Sequence, residues 1–227
     1  MHVAVAPAAT LPRAGIPFGG MPLEISVRAA ALVGSVRMLA KDEEIFAEGD
    51  RAAFFYKVIS GAVRTSKLLS DGRRQIDAFH LAGDMLGIEA GDEHRFSAEA
   101  VGPAKVVSYR RCSLEALASG NGTLARQVVP AMMRLLERAQ NHMLLLGRKS
   151  AVEKVATFLL DLAERSFADG HVDLPMSRSD IADHLGLTIE TVSRSLTQLE
   201  RDRVIDVPAH RRTIVLRDRA ALRRLDS

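Results

Sequence analysis

Cysteine is almost missing from this chain of 227 residues: the single Cys112 precludes an internal disulfide framework. No apolar run reaches the ~20 residues needed to cross a bilayer. Met1 to Ile25 is rich in Pro, Ala and Gly but has no continuous apolar core behind a basic start. It reads as an arm rather than an export signal, and a cytoplasmic protein with no membrane partner is expected. Metal-ligand spacing and a nucleophile motif are also lacking, and Gly83-Asp84-Met85-Leu86-Gly87 has no strand-to-helix setting that would cradle a phosphate. An enzyme, a metal site or a bound cofactor is therefore not expected. Nor does one sign of charge dominate: the chain carries a net +3, and from Ser150 onward 12 Lys and Arg face 13 Asp and Glu. Any basic surface must be local, with Arg178, Arg194, Arg211 and Arg212 on one face and Asp161, Asp169 and Asp173 elsewhere. What is present, 47% hydrophobic and 26% charged residues, is the make-up of a soluble globular protein of two-domain length.

The densest local signal runs from Ser177 to Ile205. Ser177 is a natural helix cap with Asp180 three residues on, Leu185-Gly186-Leu187 is a turn, and Thr188 caps a second helix. Such a pair is a helix-turn-helix. At about 100° per residue, Val192, Leu196 and Leu199 share one side of the second helix, free to pack on Ile181, Ala182 and Leu185. Glu190, Ser193, Arg194 and Thr197 fall on the opposite side. Arg194 can contact guanine O6 and N7, Glu190 can accept from cytosine N4, and the Ser193 hydroxyl suits either base type. Glu190, Ser193 and Arg194 are thus candidate DNA base contacts, the competing reading being a surface ion pair between Glu190 and Arg194. Ser177, Arg178, Thr188, Thr191 and Arg211 are candidate phosphate contacts. A negative charge placed on Ser177 would repel DNA.

Two β-branched runs, Val204 to Val207 and Thr213 to Leu216, flank Pro208 to Arg212 and predict a hairpin wing. Upstream, Gly49, Gly61, Gly72 and Gly83 recur at spacings of 12, 11 and 11 residues and punctuate short β-type runs. Strands are predicted at Phe54 to Ile59, Val63 to Leu69, Gln75 to Leu81 and Lys105 to Tyr109, with Asp71-Gly72 as a turn. Between β-region and helix-turn-helix, Leu114 to Gly147 reads as helix. Ala125, Val129, Met132, Leu136, Ala139, Met143 and Leu146 follow the 4-3 spacing of a coiled-coil seam, so Val129 through Leu146 form a candidate homodimer interface. The competing reading is a helix packed on its own β-region. Pro130 is expected to mark the start of the main helical segment or a kink. Ser150 to Glu153 spells a capping box, so a new helix starts there and Gly147 to Lys149 is a hinge.

The expected organisation is an arm (1–27), a β-roll (28–119), a dimerisation helix with hinge (120–149) and a winged helix-turn-helix domain (150–227). The fold class is α+β. In this order the elements from about Leu32 to Leu216 resemble the CRP/FNR superfamily of bacterial transcription regulators. The segment IFAEGDRAAFFYKVISGAVRTSKLLSDGRRQIDAFHLAGDMLG resembles that family's cyclic-nucleotide-binding-type roll. Glu190, Ser193 and Arg194 meet the E-x-x-S-R motif of the FNR and FixK branch, whereas the cyclic-AMP receptor branch has Gly at the position of Ser193. The resemblance implies an inverted-repeat DNA target with TTGAT-like half-sites, and an activator that recruits RNA polymerase through the roll, with Glu89 to Arg95 as a candidate contact.

The same resemblance makes the departures informative. FNR carries an N-terminal cysteine cluster for an iron-sulfur centre, which this chain lacks, and Cys112 reads as a buried structural thiol. The family's nucleotide cassette pairs Gly-Glu with a later Arg-Ser. Here the matching stretches are Gly83-Asp84 and His94-Arg95-Phe96, so Arg95 could face a phosphate but its serine partner is missing. His80 and His94 are the candidate ligands for a haem. A FixK-like regulator without effector is the expectation, set against a nucleotide- or haem-gated regulator and a roll used as a protein-interaction module with degenerate DNA binding.

Overall fold

Backbone freedom at one glycine sets the shape of the N-terminal half. Gly61 sits at φ +79°, and a Cβ there would lie 2.4 Å from the Pro103 carbonyl oxygen. The chain turns at this point from one sheet into another. In the computed structural model, which describes residues 33–111, 125–166, 170–208 and 212–226, the roll consists of two antiparallel four-stranded sheets. The first has the order β1 (Val33–Leu39), β8 (Ala104–Arg110), β3 (Phe54–Ser60), β6 (Met85–Leu86). The second runs β2 (Glu44–Phe46), β7 (Ser97–Ala100), β4 (Ala62–Leu68), β5 (Arg74–Leu81). Val58, Val63, Leu86, Ala98 and Val106 fill the space between them. The four predicted strands are β3, β4, β5 and β8, and Asp71-Gly72 lies in the turn between β4 and β5.

The helix α1 (Ala125–Arg148) lays Val128 and Ala131 on Phe55 and Met85 of the roll. Pro130 does not start it: the helix runs through this residue, whose ring is exposed. Proline removes one amide donor and crowds the preceding turn, but near a helix beginning the loss is small because early amides lack intrahelical acceptors anyway. The capping box forms as the sequence suggests. The Ser150 amide donates to Glu153 Oε2 at 2.7 Å, and α2 (Ala151–Ser166) begins at the next residue.

The face of α2 with Val155, Ala156, Leu159, Leu160 and Leu162 is buried beneath α3 (Arg178–Leu185) and α4 (Ile189–Arg201). A three-stranded sheet completes this unit, in the order β10 (Ile205–Asp206), β11 (Thr213–Leu216), β9 (His171–Asp173), followed by α5 (Arg219–Asp226). The hairpin expected over 204–216 is β10 and β11, and β9 adds a third strand that three residues gave no pattern to reveal. One hydrophobic cluster runs without a break from Ile76 and Phe79 of β5 through Leu145 and Phe158 into Ile181, Leu185, Val192 and Leu199. Among the described residues, no helix is long and apolar enough to cross a membrane. The N-terminal arm, Cys112, the stretch 114–124 and Arg211 lie outside the described residues, as does Asp169.

Candidate nucleic-acid interface

Local chemistry builds both helices of the motif. The Ser177 hydroxyl accepts from the Asp180 amide at 3.1 Å, while the Asp180 carboxylate accepts from the Ser177 amide at 3.0 Å and its hydroxyl at 2.8 Å. This reciprocal box satisfies donors that a helix start would otherwise leave open. Gly186 closes α3 in the left-handed region at φ +61°, which turns the chain toward α4. The buried Lys154 ammonium donates to the Leu185 carbonyl at 3.2 Å, securing the other end of α3. Thr188 then caps α4, accepting from the Thr191 amide at 3.2 Å, with the two hydroxyls 3.0 Å apart.

The two faces of α4 divide as its periodicity requires. Val192, Leu196 and Leu199 are buried, and Glu190, Ser193, Arg194 and Thr197 are exposed. No ion pair joins Glu190 to Arg194 among the described residues, so the surface-pair reading is not realised. Hydrogen bonding at the α4 N-terminus, first from the backbone and then from Thr188, holds the Glu190 carboxyl below its usual pKa. Thr197 donates to the Ser193 carbonyl at 3.0 Å and is committed to its own helix. Ser177 is exposed and Arg178 half-buried; with Arg212 of the wing they border a cleft of about 280 Å³. Thr188 is exposed and Thr191 half-buried on the same end of α4.

Acidic groups of this unit are turned away from that surface. Asp180 and Asp183 bind Arg74 of the roll, Asp161 binds Arg165, Asp226 binds Lys149 and Asp206 binds Arg217. Asp173 accepts from the Thr213 hydroxyl at 2.6 Å. A unit with no net positive charge therefore presents its free guanidinium, Arg194, on a face whose acids are neutralised elsewhere.

The candidate seam of α1 stands open in a single chain. Val129 is 60% exposed, Met132 46%, Leu136 53% and Met143 67%; Ala139 is exposed and Leu146 half-buried. The opposite face, with Val128, Ala131 and Leu145, is buried in the chain's own cores. The helix thus packs on its own roll and still leaves an apolar stripe uncovered.

Inside the roll the residues do not fit a cyclic nucleotide. Asp84, at the position of the family's ribose-binding carboxylate, receives Arg138 at 2.9 Å, Arg165 at 2.7 Å and the Leu81 amide at 2.9 Å. Burial alone would raise its pKa; Arg165 and Arg138 hold it below the usual carboxylate range. Arg95 borders a cavity of about 640 Å³ together with Asp77 and Glu89, carboxylates that repel a phosphate. The candidate haem ligands are packed as structural residues. His80 is buried with Nε2 3.1 Å from the Thr65 hydroxyl, and burial pushes its pKa down to about 4. His94 is buried and stacked 3.6 Å from the Phe46 ring, with Nδ1 3.6 Å from Glu89.

Known proteins place this architecture. Residues 153–225 match the Crp-like helix-turn-helix domain and residues 36–121 the cyclic nucleotide-binding domain. The chain is 50% identical over 216 residues to the nitrogen fixation regulation protein FixK of Azorhizobium caulinodans, covering 92% of this chain and 87% of that protein. It is 44% identical to the transcriptional activatory protein AadR of Rhodopseudomonas palustris, over 72% of this chain and 70% of that one. The solved structure of FixK2 from Bradyrhizobium japonicum superimposes with a TM-score of 0.80 at 49% identity, covering 86% of this chain and 98% of the other. Roll, long helix and helix-turn-helix thus agree in order and in sequence, and the chain belongs to the CRP/FNR family of transcription regulators, in its FixK-like branch.

Proposed function

We propose that the chain is a cytoplasmic homodimeric activator that binds an inverted repeat of TTGAT-type half-sites without a small-molecule effector. The observation that carries this reading is the outward face of α4, where Glu190, Ser193 and Arg194 are exposed and no ion pair joins the two charged groups. Ser177, Arg178, Thr188 and Thr191 flank that face and hold the phosphates, with Arg212 contributing from the wing. A second copy covers the stripe of Val129, Met132, Leu136, Ala139, Met143 and Leu146. A two-fold axis along α1 then presents each recognition helix once per half-site, with half-sites about one helical turn apart. Asp77 and Glu89 beside Arg95, and the closed cluster on Asp84, support an effector-free roll. RNA polymerase meets the roll at the Glu89 to Arg95 loop.

The test is a mobility-shift titration of purified protein on a TTGAT inverted repeat with no added ligand, beside Leu136→Glu. Tight binding by the unmodified protein is expected. Leu136→Glu places two carboxylates on the dimer axis and is expected to sediment as a monomer and bind the repeat at least a hundredfold more weakly. A shift that appears only when cyclic nucleotide is added overturns the effector-free reading. A Leu136→Glu protein that remains dimeric overturns the assigned interface.

A further inference from the structure

The face of α3 turned away from α4 docks on strand β5 of the roll. Arg74, the first residue of β5, donates from Nη2 to Asp180 Oδ1 at 2.6 Å, and from Nε and Nη2 to Asp183 Oδ2 at 2.9 and 2.8 Å. Arg64 of β4, itself anchored on Glu99 at 2.6 Å and Asp42 at 3.0 Å, adds a second guanidinium 3.5 Å from Asp180 Oδ1. The Gln75 amide donates to the His184 carbonyl at 3.2 Å, and His184 Nδ1 lies 3.1 Å from the Ile76 carbonyl. Asp180 divides its oxygens between two tasks. Oδ2 closes the capping box with Ser177, and Oδ1 is held by the roll. The carboxylate that shapes the phosphate-facing start of α3 is thereby the one the roll grips.

From this geometry we infer that Arg74 is a positioning residue for DNA binding, acting through Asp180 and Asp183 to fix the orientation of the helix-turn-helix on the roll. The inference rests on the dimeric DNA-binding reading above. In a dimer the second half-site is bound at an effective concentration that depends on how well the two recognition helices match the spacing of the repeat. A rigid α3-to-β5 dock gives a narrow distribution of that distance, and hence a strong preference for one spacer length. Loss of the dock leaves contacts within each half-site intact while widening the distribution.

Arg74→Glu, which faces both aspartates with a like charge, and Arg74→Lys, which restores the charge without the fork, separate this role from simple stability. Each full-length protein is titrated on three duplexes: the inverted repeat at its preferred spacer, the same repeat with one base pair added to the spacer, and a single half-site. Arg74→Glu is expected to bind the preferred repeat about tenfold more weakly and the other two within twofold of the unmodified protein. Spacer preference should fall by the same factor of about ten, and Arg74→Lys should recover most of it. Equal weakening on all three duplexes, or an unchanged spacer preference, overturns the inference. Hydrogen exchange on the free proteins reads the dock without DNA. Faster exchange over 74–81 and 178–185, with 189–201 unchanged, is expected for Arg74→Glu, and its absence overturns the dock. Failure of the unmodified protein to bind the repeat instead strikes the function proposed above.

Discussion

The β-roll and the helix-turn-helix unit use charge in opposite ways. In and around the roll, charged groups close on partners within the chain: Arg64 on Glu99 and Asp42, and Asp84 on both Arg138 and Arg165. On α4, Glu190 and Arg194 stand in solvent with no ion pair between them. A side chain with a partner in its own chain is neutralised and fixed, whereas one without a partner is available to a ligand. The roll has therefore kept the architecture of a nucleotide-binding domain while its polar groups serve cohesion. Recognition is concentrated on one face of one helix.

The largest effect that should separate the two regions comes from Arg194→Ala. Loss of a bidentate guanine contact costs about 1–3 kcal/mol, and in a dimer it is lost twice, giving roughly 2–6 kcal/mol. Binding to the inverted repeat should weaken at least thirtyfold, and the base preference at the contacted position should relax. The urea midpoint should stay unchanged, because the side chain is exposed. A matching loss of stability would place Arg194 with the internally satisfied charges of the roll.

Asp84→Asn reverses that pattern. It removes the charge that neutralises Arg138 and Arg165 while keeping the shape, stranding two guanidiniums at a site where all three side chains are largely buried. Breaking a buried pair in this way costs about 3 kcal/mol. Urea unfolding should show the loss, and single half-site binding should change little. An Asp84→Asn protein of unaltered stability would mean that the cluster is solvated and that the contrast between the regions is overstated.

How far each region could be read from sequence follows the range of its interactions. The helix-turn-helix is written in contacts a few residues apart: a box between Ser177 and Asp180, a left-handed Gly186, a cap at Thr188. Local pattern therefore located it almost to the residue. β3, β4, β5 and β8 were legible because they carry β-branched and aromatic residues between turns. β7, with the sequence SAEA, and β6, of two residues, offer no such signal and are strands only because neighbours complete their hydrogen bonds. The dock was illegible for a related reason. Arg74 lies 106 and 109 residues from Asp180 and Asp183, and nothing local distinguishes these aspartates from ordinary surface acids. Similarly, Asp84 could be aligned with the family's ribose-binding carboxylate, but only the fold brings Arg138 and Arg165 onto it.

The smallest expected effect, on pH dependence, sharpens the comparison because the two regions differ in what titrates. Burial holds His80 neutral down to about pH 4 in the roll, and burial with the stacked His142 beside it holds His184 neutral to about pH 3 at the junction. Both fall below the ordinary value near 6.5, so the unfolded chain binds more protons than the folded one once the pH drops below that value. Their contribution is complete above pH 6.5 and is lost progressively as the pH falls toward the folded-state values. At pH 5.5 each histidine should cost about 1.4 kcal/mol relative to pH 7.5, a window in which carboxylates remain ionised. His80→Gln keeps a group able to meet the Thr65 hydroxyl and removes one titration, so its stability should fall less steeply over this range in urea titrations. A slope equal to that of the unmodified protein would remove His80 as a source. No histidine lies on α4, so contacts within a half-site should hold through the same pH range while the roll and its junction with α3 lose stability.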